Sequence, residues 1–435
     1  MQNNPCFRII LLLVTCYLSA PYAVANPPGD GGIEIWVDGP DEVQPGNDRR
    51  FPDAAVDPKG RSIFVWNAFT NFTRGDIFLR RFDSSGNALE DPIAVNTLVE
   101  DDQSNPRLAV SNDGSFLVIW ESDEPDPDDE GRIRRWIRGQ AFDADAQPDG
   151  EERLFSAIST GAVTQRYADV AALTGGGYVV VWNQESAIAP DTGRNIQARL
   201  VAADGAPNGA AFVANSSIGT SEIYTAVTEL DDGGFFAVWR AGSNLWGRRF
   251  SSAGAPAGDD FRVETFLPGS IVDPDAVRGT DGRVLVVWED GEEPGDGNEI
   301  RGRLYSPTLN PLGDDFRINV LTELSQTEVR AGSYGKYGFM VAWQSAVSAG
   351  DDSDSTSIQG RLVTGVDAFG GPQFQLNKYT PNGQSNLGVG GMGDAVAIAW
   401  RSLGNEFKDN DDVITGQGWS ECGIFCDSFE ATKTQ

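Results

Sequence analysis

The sequence predicts an all-β protein, a seven-bladed β-propeller of four-stranded antiparallel blades, and three observations carry that expectation. A short apolar run ending in tryptophan occurs seven times, at Trp66, Trp120, Trp182, Trp239, Trp288, Trp343 and Trp400, with spacings of 54, 62, 57, 49, 55 and 57 residues. Each is followed by a second strand-like run of the form I-x-G-R-x-F or a close variant. A repeat of this period built from strands alone marks a closed circular array. The third observation concerns the ends: the seventh unit has no fourth run, while an orphan strand-like segment at residues 32–37 precedes the first unit. Pairing that segment into the last blade closes the ring and leaves no sheet edge bare.

Each unit has four parts. The first strand is short and rich in Ala and Gly, as in Asp53-Ala54-Ala55-Val56, Leu108-Ala109-Val110 and Asp275-Ala276-Val277. Strands nearest the axis are crowded by their counterparts, so small residues fit there. A tight turn follows, marked by Asn112-Asp113-Gly114, Gly175-Gly176-Gly177, Asp231-Asp232-Gly233 or Asp281-Gly282, the residues that antiparallel hairpins require. The tryptophan strand comes next, and its ring is expected to fill the wedge between neighbouring blades. A third strand begins near Ile77, Ile137, Ile196, Leu245, Ile300, Ile358 and Ile414. A Gly- and Asp-rich bend leads to a fourth run such as Ile93-Ala94-Val95-Asn96 or Phe316-Arg317-Ile318-Asn319.

Composition excludes several function classes. There is no histidine in 435 residues, which removes Ser-His-Asp and Cys-His nucleophiles, histidine general bases and histidine metal ligands. Acidic residues outnumber basic ones 64 to 33, for a net charge of −31, a field that repels nucleic acid and anionic membranes. Expected partners are a glycan, an extracellular protein or another cell-surface component, and the propeller is expected to be monomeric.

Residues 1–25 read as an export signal, with Arg8 as the charged region, an apolar centre from Ile9 to Val14 and an A-x-A cleavage site at Ala23-Val24-Ala25. The expected location is secreted, periplasmic or cell-surface, and no later stretch is apolar for long enough to span a membrane as a helix. The propeller should occupy residues 26–420, followed by a tail at 421–435 in which Cys422 and Cys426 are expected to form a disulfide.

Two candidate sites emerge from patterning. Loops after the second strand share a face with those after the fourth, and several are acidic. Their oxygen ligands at alternate positions, Asp126 with Asp128, Asp296 with Asn298, Asp352 with Asp354 and Asp409 with Asp411, suit calcium, which takes six to eight hard oxygens. None completes an EF-hand. The second pattern is a column on the third strand: Arg80, Gln140, Arg199, Arg248, Arg303, Arg361 and Gln417. Such a column can grip anions. Its recurrence around the ring favours a structural part, each guanidinium stacking on an aromatic residue or binding a backbone carbonyl between blades.

The segments Gly233-Gly234-Phe235-Phe236-Ala237-Val238-Trp239 and Leu245-Trp246-Gly247-Arg248-Arg249-Phe250 resemble the tryptophan-strand repeats (G-G-F-V-V-W, then I-x-G-Q-R-F) of large exported bacterial proteins, including haemolysin-type calcium-binding ones. The resemblance covers about residues 50 to 420 and implies an extracellular propeller without implying a particular reaction. The leading expectation is a non-catalytic binding propeller that uses its acidic loop face, with or without calcium. The alternative is a carbohydrate-active enzyme, a hydrolase or lyase, using paired carboxylates near the axis, since glycoside hydrolysis needs two carboxyl groups and no histidine. Two buried carboxylates with raised pKa in an axial pocket would favour the enzyme.

Overall fold

The computed structural model describes residues 34–38, 48–70, 74–126, 131–156, 162–186, 193–216, 222–265, 269–291, 297–336, 338–405 and 408–420. Every regular element among them is a β-strand, and the strands form seven antiparallel sheets. The innermost strands are Asp48–Val56, Gln103–Val110, Ala162–Ala172, Glu222–Glu229, Ser270–Arg278, Gln326–Tyr334 and Gln384–Met392. Each packs against the next, and the seventh packs against the first. The ring is closed: this is a seven-bladed propeller. Blade 6 adds a two-residue strand, Ala368–Phe369, to the four-strand pattern.

The closure is the one the sequence predicts. Ile35–Trp36 pairs antiparallel with Lys408–Ser420, with Ile35 opposite Gly416 and Trp36 opposite Thr415, and so supplies the fourth strand of blade 7. A repeated side-chain cap confirms the equivalence. In blades 1 to 6 the second residue after the fourth strand accepts the N–H that opens the core of the third: Asn96 from Ile77 at 2.7 Å, Ser156 from Ile137 at 3.0 Å, Asn215 from Ile196 at 2.9 Å, Glu264 from Leu245 at 2.9 Å, Asn319 from Ile300 at 2.9 Å and Asn377 from Ile358 at 2.8 Å. In blade 7 the cap is Asp38, which accepts from Ile414 at 3.4 Å.

All seven tryptophans are buried, and each sits in a cluster shared with the preceding blade. Trp288 packs with Phe236 and Val238, Trp120 with Val65 and Leu79, and Trp66 with Ala397, Ala399 and Ile414 across the closure. A ring of this size removes about 150–250 Å² from water, roughly 4–6 kcal/mol by area as an upper bound.

The third-strand column is a set of struts between blades. Arg303 donates to Gly313 O of its own blade at 3.1 Å and to Val263 O of the preceding one at 2.6 Å. Arg80, Arg199, Arg248 and Arg361 repeat the pattern, with Arg80 reaching Val37 O at 3.1 Å and so bracing the closure. Gln417 keeps the inter-blade bond, donating to Leu376 O at 2.9 Å, whereas Gln140 bonds carbonyls within its own blade. Arg80, Arg248, Arg303 and Arg361 also stack over Phe82, Phe250, Tyr305 and Phe369.

Candidate functional site

The innermost strands all carry the same irregularity. One residue near the start of each has a left-handed backbone: Phe51, Asn105, Tyr167, Tyr224, Asp273, Glu328 and Asn386, with φ between 47° and 55°. Each falls inside a register shift against the tryptophan strand. None is glycine, and a non-glycine residue in this region costs on the order of 1–3 kcal/mol, a strain that clusters at working sites. The bulges form a ring at one mouth of the axial channel, on the face that carries the acidic loops.

Carboxylates of the preceding blade hold three of these bulges. Glu121 accepts the Tyr167 N–H at 2.7 Å, Glu289 accepts the Glu328 N–H at 3.3 Å, and Glu328 accepts both the N–H and the side-chain amide of Asn386, at 2.5 and 2.9 Å. Burial raises the pKa of Glu121 and Glu328. Burial, reinforced by the Asp273 charge, raises Glu289 to about 7. On blades 3 and 4 the Tyr167 and Tyr224 rings lie 4.5 Å apart at 49°. Burial, Tyr167 and the Asp273 charge push the Tyr224 hydroxyl up to about 12.

Two residues beyond each bulge lies an inner ring, in blade order Asp53, Arg107, Asp169, Ala226, Asp275, Arg330 and Gly388. The three aspartates occupy alternate blades, and each reaches across to the next strand: Asp53 accepts the Leu108 N–H at 3.0 Å, Asp169 the Val227 N–H at 2.7 Å and Asp275 the Ala331 N–H at 2.8 Å. Gly388 is required by packing, since a Cβ there would lie 2.4 Å from Asp53 Cα. The other six members of the ring line an axial cavity of about 490 Å³, together with Tyr167, Tyr224 and Asp273 at the bulge end and Glu229, Arg278 and Thr280 toward the other.

The inner ring separates its carboxyl groups electrostatically. Burial, and then the like charge of Asp275, raise Asp169 to about 7, while Arg107 opposes the shift. Burial raises Asp53 against the pull of Arg107. For Arg330 burial favours the neutral form, but Asp273, Asp275, Asp53 and Glu328 outweigh it and strengthen its hold on the proton. Asp169 therefore holds its proton to higher pH than an ordinary carboxyl, in a ring that also carries Asp53, Asp275 and two guanidiniums.

Of the residues predicted for calcium, the four with described side chains lie outside the axial cavity and are engaged by protein. Asp126 is buried against Arg134 at 2.5 Å, with Arg132 at 4.0 Å. Asn298 donates to the Glu289 carboxylate. Asp352 accepts from the Asn377 side chain at 2.7 Å and from the Asp354 N–H at 3.2 Å, and Asp354 accepts from the Asn382 N–H at 3.0 Å. Asp409 and Asp411, expected in a loop, lie in the strand Lys408–Ser420, because the hairpin pairing continues outward to Asn405 opposite Lys408. Asp128, Asp296, Cys422 and Cys426 fall outside the described residues. Among the described residues, no three Asp, Glu, Cys or His side chains group to hold a metal ion, and no helix is long and apolar enough to cross a membrane.

The axial rings were within reach of the sequence. Asp53 and Asp275 open two of the three first-strand segments quoted above, and alignment of all seven units places Asp or Arg at five of the seven equivalent positions. The bulges leave no comparable trace, since their residue types differ in nearly every blade.

No protein-family model matches this sequence, and no curated protein does. Similar folds are found among solved structures. A protein of unknown function from Dyadobacter fermentans DSM 18053 aligns with a TM-score of 0.52 at 11% identity, covering 88% of this chain and 97% of its own. The polysaccharide lyase Uly1 aligns with a TM-score of 0.51 at 9% identity, covering 84% of this chain and 88% of its own. At these identities the likeness is one of fold.

Proposed function

We propose that this chain is an exported carbohydrate-active enzyme whose working site is the axial cavity, with Asp169 as proton donor and Asp275 as its partner carboxylate. The observation that carries the reading is the pKa of about 7 at Asp169, inside a cavity that Asp275 also lines. Glycosidic cleavage needs one carboxyl group that is protonated at working pH and a second that is ionised. Asp169 spends one oxygen on the Val227 amide. The other is left to pass its proton to the leaving oxygen as the glycosidic C–O bond breaks. Water then adds to the anomeric carbon and gives its proton to Asp275. Tyr167 and Tyr224 supply an aromatic surface at the mouth for a sugar face. The shared fold with a polysaccharide lyase supports the substrate class by analogy alone.

A second reading, a non-catalytic glycan, protein or cell-surface binder, is favoured by a different observation. Asp53, Asp169 and Asp275 each hold an amide of the next blade, a role they would fill with no reaction. Release of new reducing or unsaturated ends from a polysaccharide panel separates the two. The enzyme reading expects release by the wild type and a loss of about 10²–10⁴ in rate for Asp169→Asn, with the melting temperature retained. Glycan binding without release leaves the binder, and neither binding nor release overturns both.

A further inference from the structure

We infer that Arg107 and Arg330 clasp the hydroxyl pairs of one uncharged sugar ring within the axial channel, so that the glycan taken is neutral rather than uronic or sulfated. The inference rests on the carbohydrate reading and adds the substrate class and the residues that select it. Arg107 donates to Pro106 O at 3.0 Å and Arg330 to Val329 O at 2.7 Å, each the carbonyl of its own preceding residue. Asp273 approaches Arg330 only to 3.9 Å. A guanidinium carries five N–H donors in a fixed fork, so most of each fork is left for the cavity that both side chains line.

The ring alternates acceptor and donor. Arg107 stands between Asp53 and Asp169 in blade order, and Arg330 follows Asp275. A vicinal diol meets such a pair by donating one hydroxyl to the carboxylate while the guanidinium donates to the other. Ala226, whose side chain is a single methyl group, interrupts the column along the cavity wall. A cavity of about 490 Å³ is many times a water's share of roughly 30 Å³, enough for a sugar ring with bridging water.

Charge argues against an anionic ligand. Fully ionised, the five carboxylates along the cavity, Asp53, Asp169, Asp273, Asp275 and Glu229, outnumber the guanidiniums of Arg107, Arg278 and Arg330 by two, and by one when Asp169 holds its proton. A uronate or sulfate would add a charge of the same sign to a cavity whose guanidiniums are already outnumbered by carboxylates, with its desolvation left uncompensated. A neutral polyol carries no such cost.

The test is calorimetric titration of the wild type, Arg107→Met, Arg330→Met and Tyr167→Ala with cellobiose, xylobiose, arabinobiose and digalacturonate, with melting curves for each variant. Binding of at least one neutral disaccharide is expected, with little for digalacturonate. Each arginine variant should weaken it about 10- to 100-fold, as expected for loss of hydrogen bonds to a charged donor. Should a methionine variant unfold, Arg107→Lys and Arg330→Lys keep the charge but lose the fork, and carry the same expectation. Arginine variants that bind like the wild type while Tyr167→Ala does not would overturn the clasp and leave the glycan reading standing. Tighter binding of digalacturonate would overturn the neutral class. No binding of any sugar by the wild type would overturn both readings.

Discussion

Replacing Arg49 with methionine tests how the ring is closed, because Arg49 sits where the first and last blades meet. Its Nε lies 2.5 Å from Asp38 Oδ2, with both side chains at most 5% exposed, and its Nη1 donates to Asp412 O at 3.2 Å. Asp38 in turn accepts from the Ile414 amide beside the closing strand. Removing one member of a buried ion pair leaves the other charge uncompensated, at a cost of about 3–5 kcal/mol. Burial already lifts Asp38 to about 6 from 3.8 even with Arg49 beside it, a penalty on its charged form of roughly 3 kcal/mol at 1.36 kcal/mol per unit. The sign follows: the contribution of Asp38 to stability is fully present below 3.8 and is lost as pH rises through 6. Without Arg49 the carboxyl is driven further toward neutrality. The deficit of Arg49→Met should therefore be large near pH 8 and should fall to about 1 kcal/mol or less near pH 5, where the wild-type carboxyl is itself mostly protonated. Denaturant melts at the two pH values measure it, and hydrogen exchange at the Val37 amide, bonded to Ile414 O at 2.9 Å, localises it. An equal deficit at both pH values, or exchange at Val37 unchanged by the substitution, would refute the argument.

Other expectations follow from the same structure. Because the folded-state pKa of Asp169 lies near 7, above its ordinary 3.8, its stabilising contribution fades as pH rises through 7, and turnover that needs its proton should fall over the same interval. Asp169→Asn should flatten the pH dependence of the melting temperature between about pH 5 and pH 8, which differential scanning calorimetry can follow. Arg303→Met removes bonds to Gly313 O and Val263 O and should cost roughly 1.5–3 kcal/mol in urea titration, with Arg303→Lys recovering only part because it cannot span both carbonyls. Gly390→Ala would place a Cβ 2.1 Å from Ala54 O, so its midpoint should drop by at least the roughly 1–3 kcal/mol typical of overpacking.

What the sequence revealed and what it hid divide along a physical line. Blade number, the tryptophan wedges, the arginine struts and the closing strand all follow from residue types that recur because the same job recurs in every blade. Trp288 and Trp120 fill equivalent wedges, so both positions must be tryptophan. The bulges were hidden because a left-handed backbone outside glycine has no residue signature: Phe51, Asn105 and Glu328 share it without sharing chemistry. The acidic loops were legible as charge, whereas their pairings within the protein were not. Asp126 is consumed by Arg134 and Asp352 by Asn377, pairings set by the fold and not by spacing along the chain.

The same contrast bears on where a ligand binds. Around a propeller, a position that packs blades together keeps its residue type, as the tryptophans and the third-strand arginines largely do. The bulge ring and the inner ring do the reverse, holding one backbone conformation seven times while varying the side chain from Tyr to Asp to Asn and from Asp to Arg to Gly. Packing alone gives no reason for that combination, since seven strained bulges carrying unrelated side chains cost stability and return no shared contact. A ligand does give a reason: it has different chemistry on each side, and it can meet that chemistry only where the scaffold stays rigid and the side chains break the symmetry. In this molecule the backbone is uniform and the side chains diverge at the axis, where Tyr167, Tyr224 and Asp273 of three successive blades line the cavity that Asp169 shares with Arg107 and Arg330.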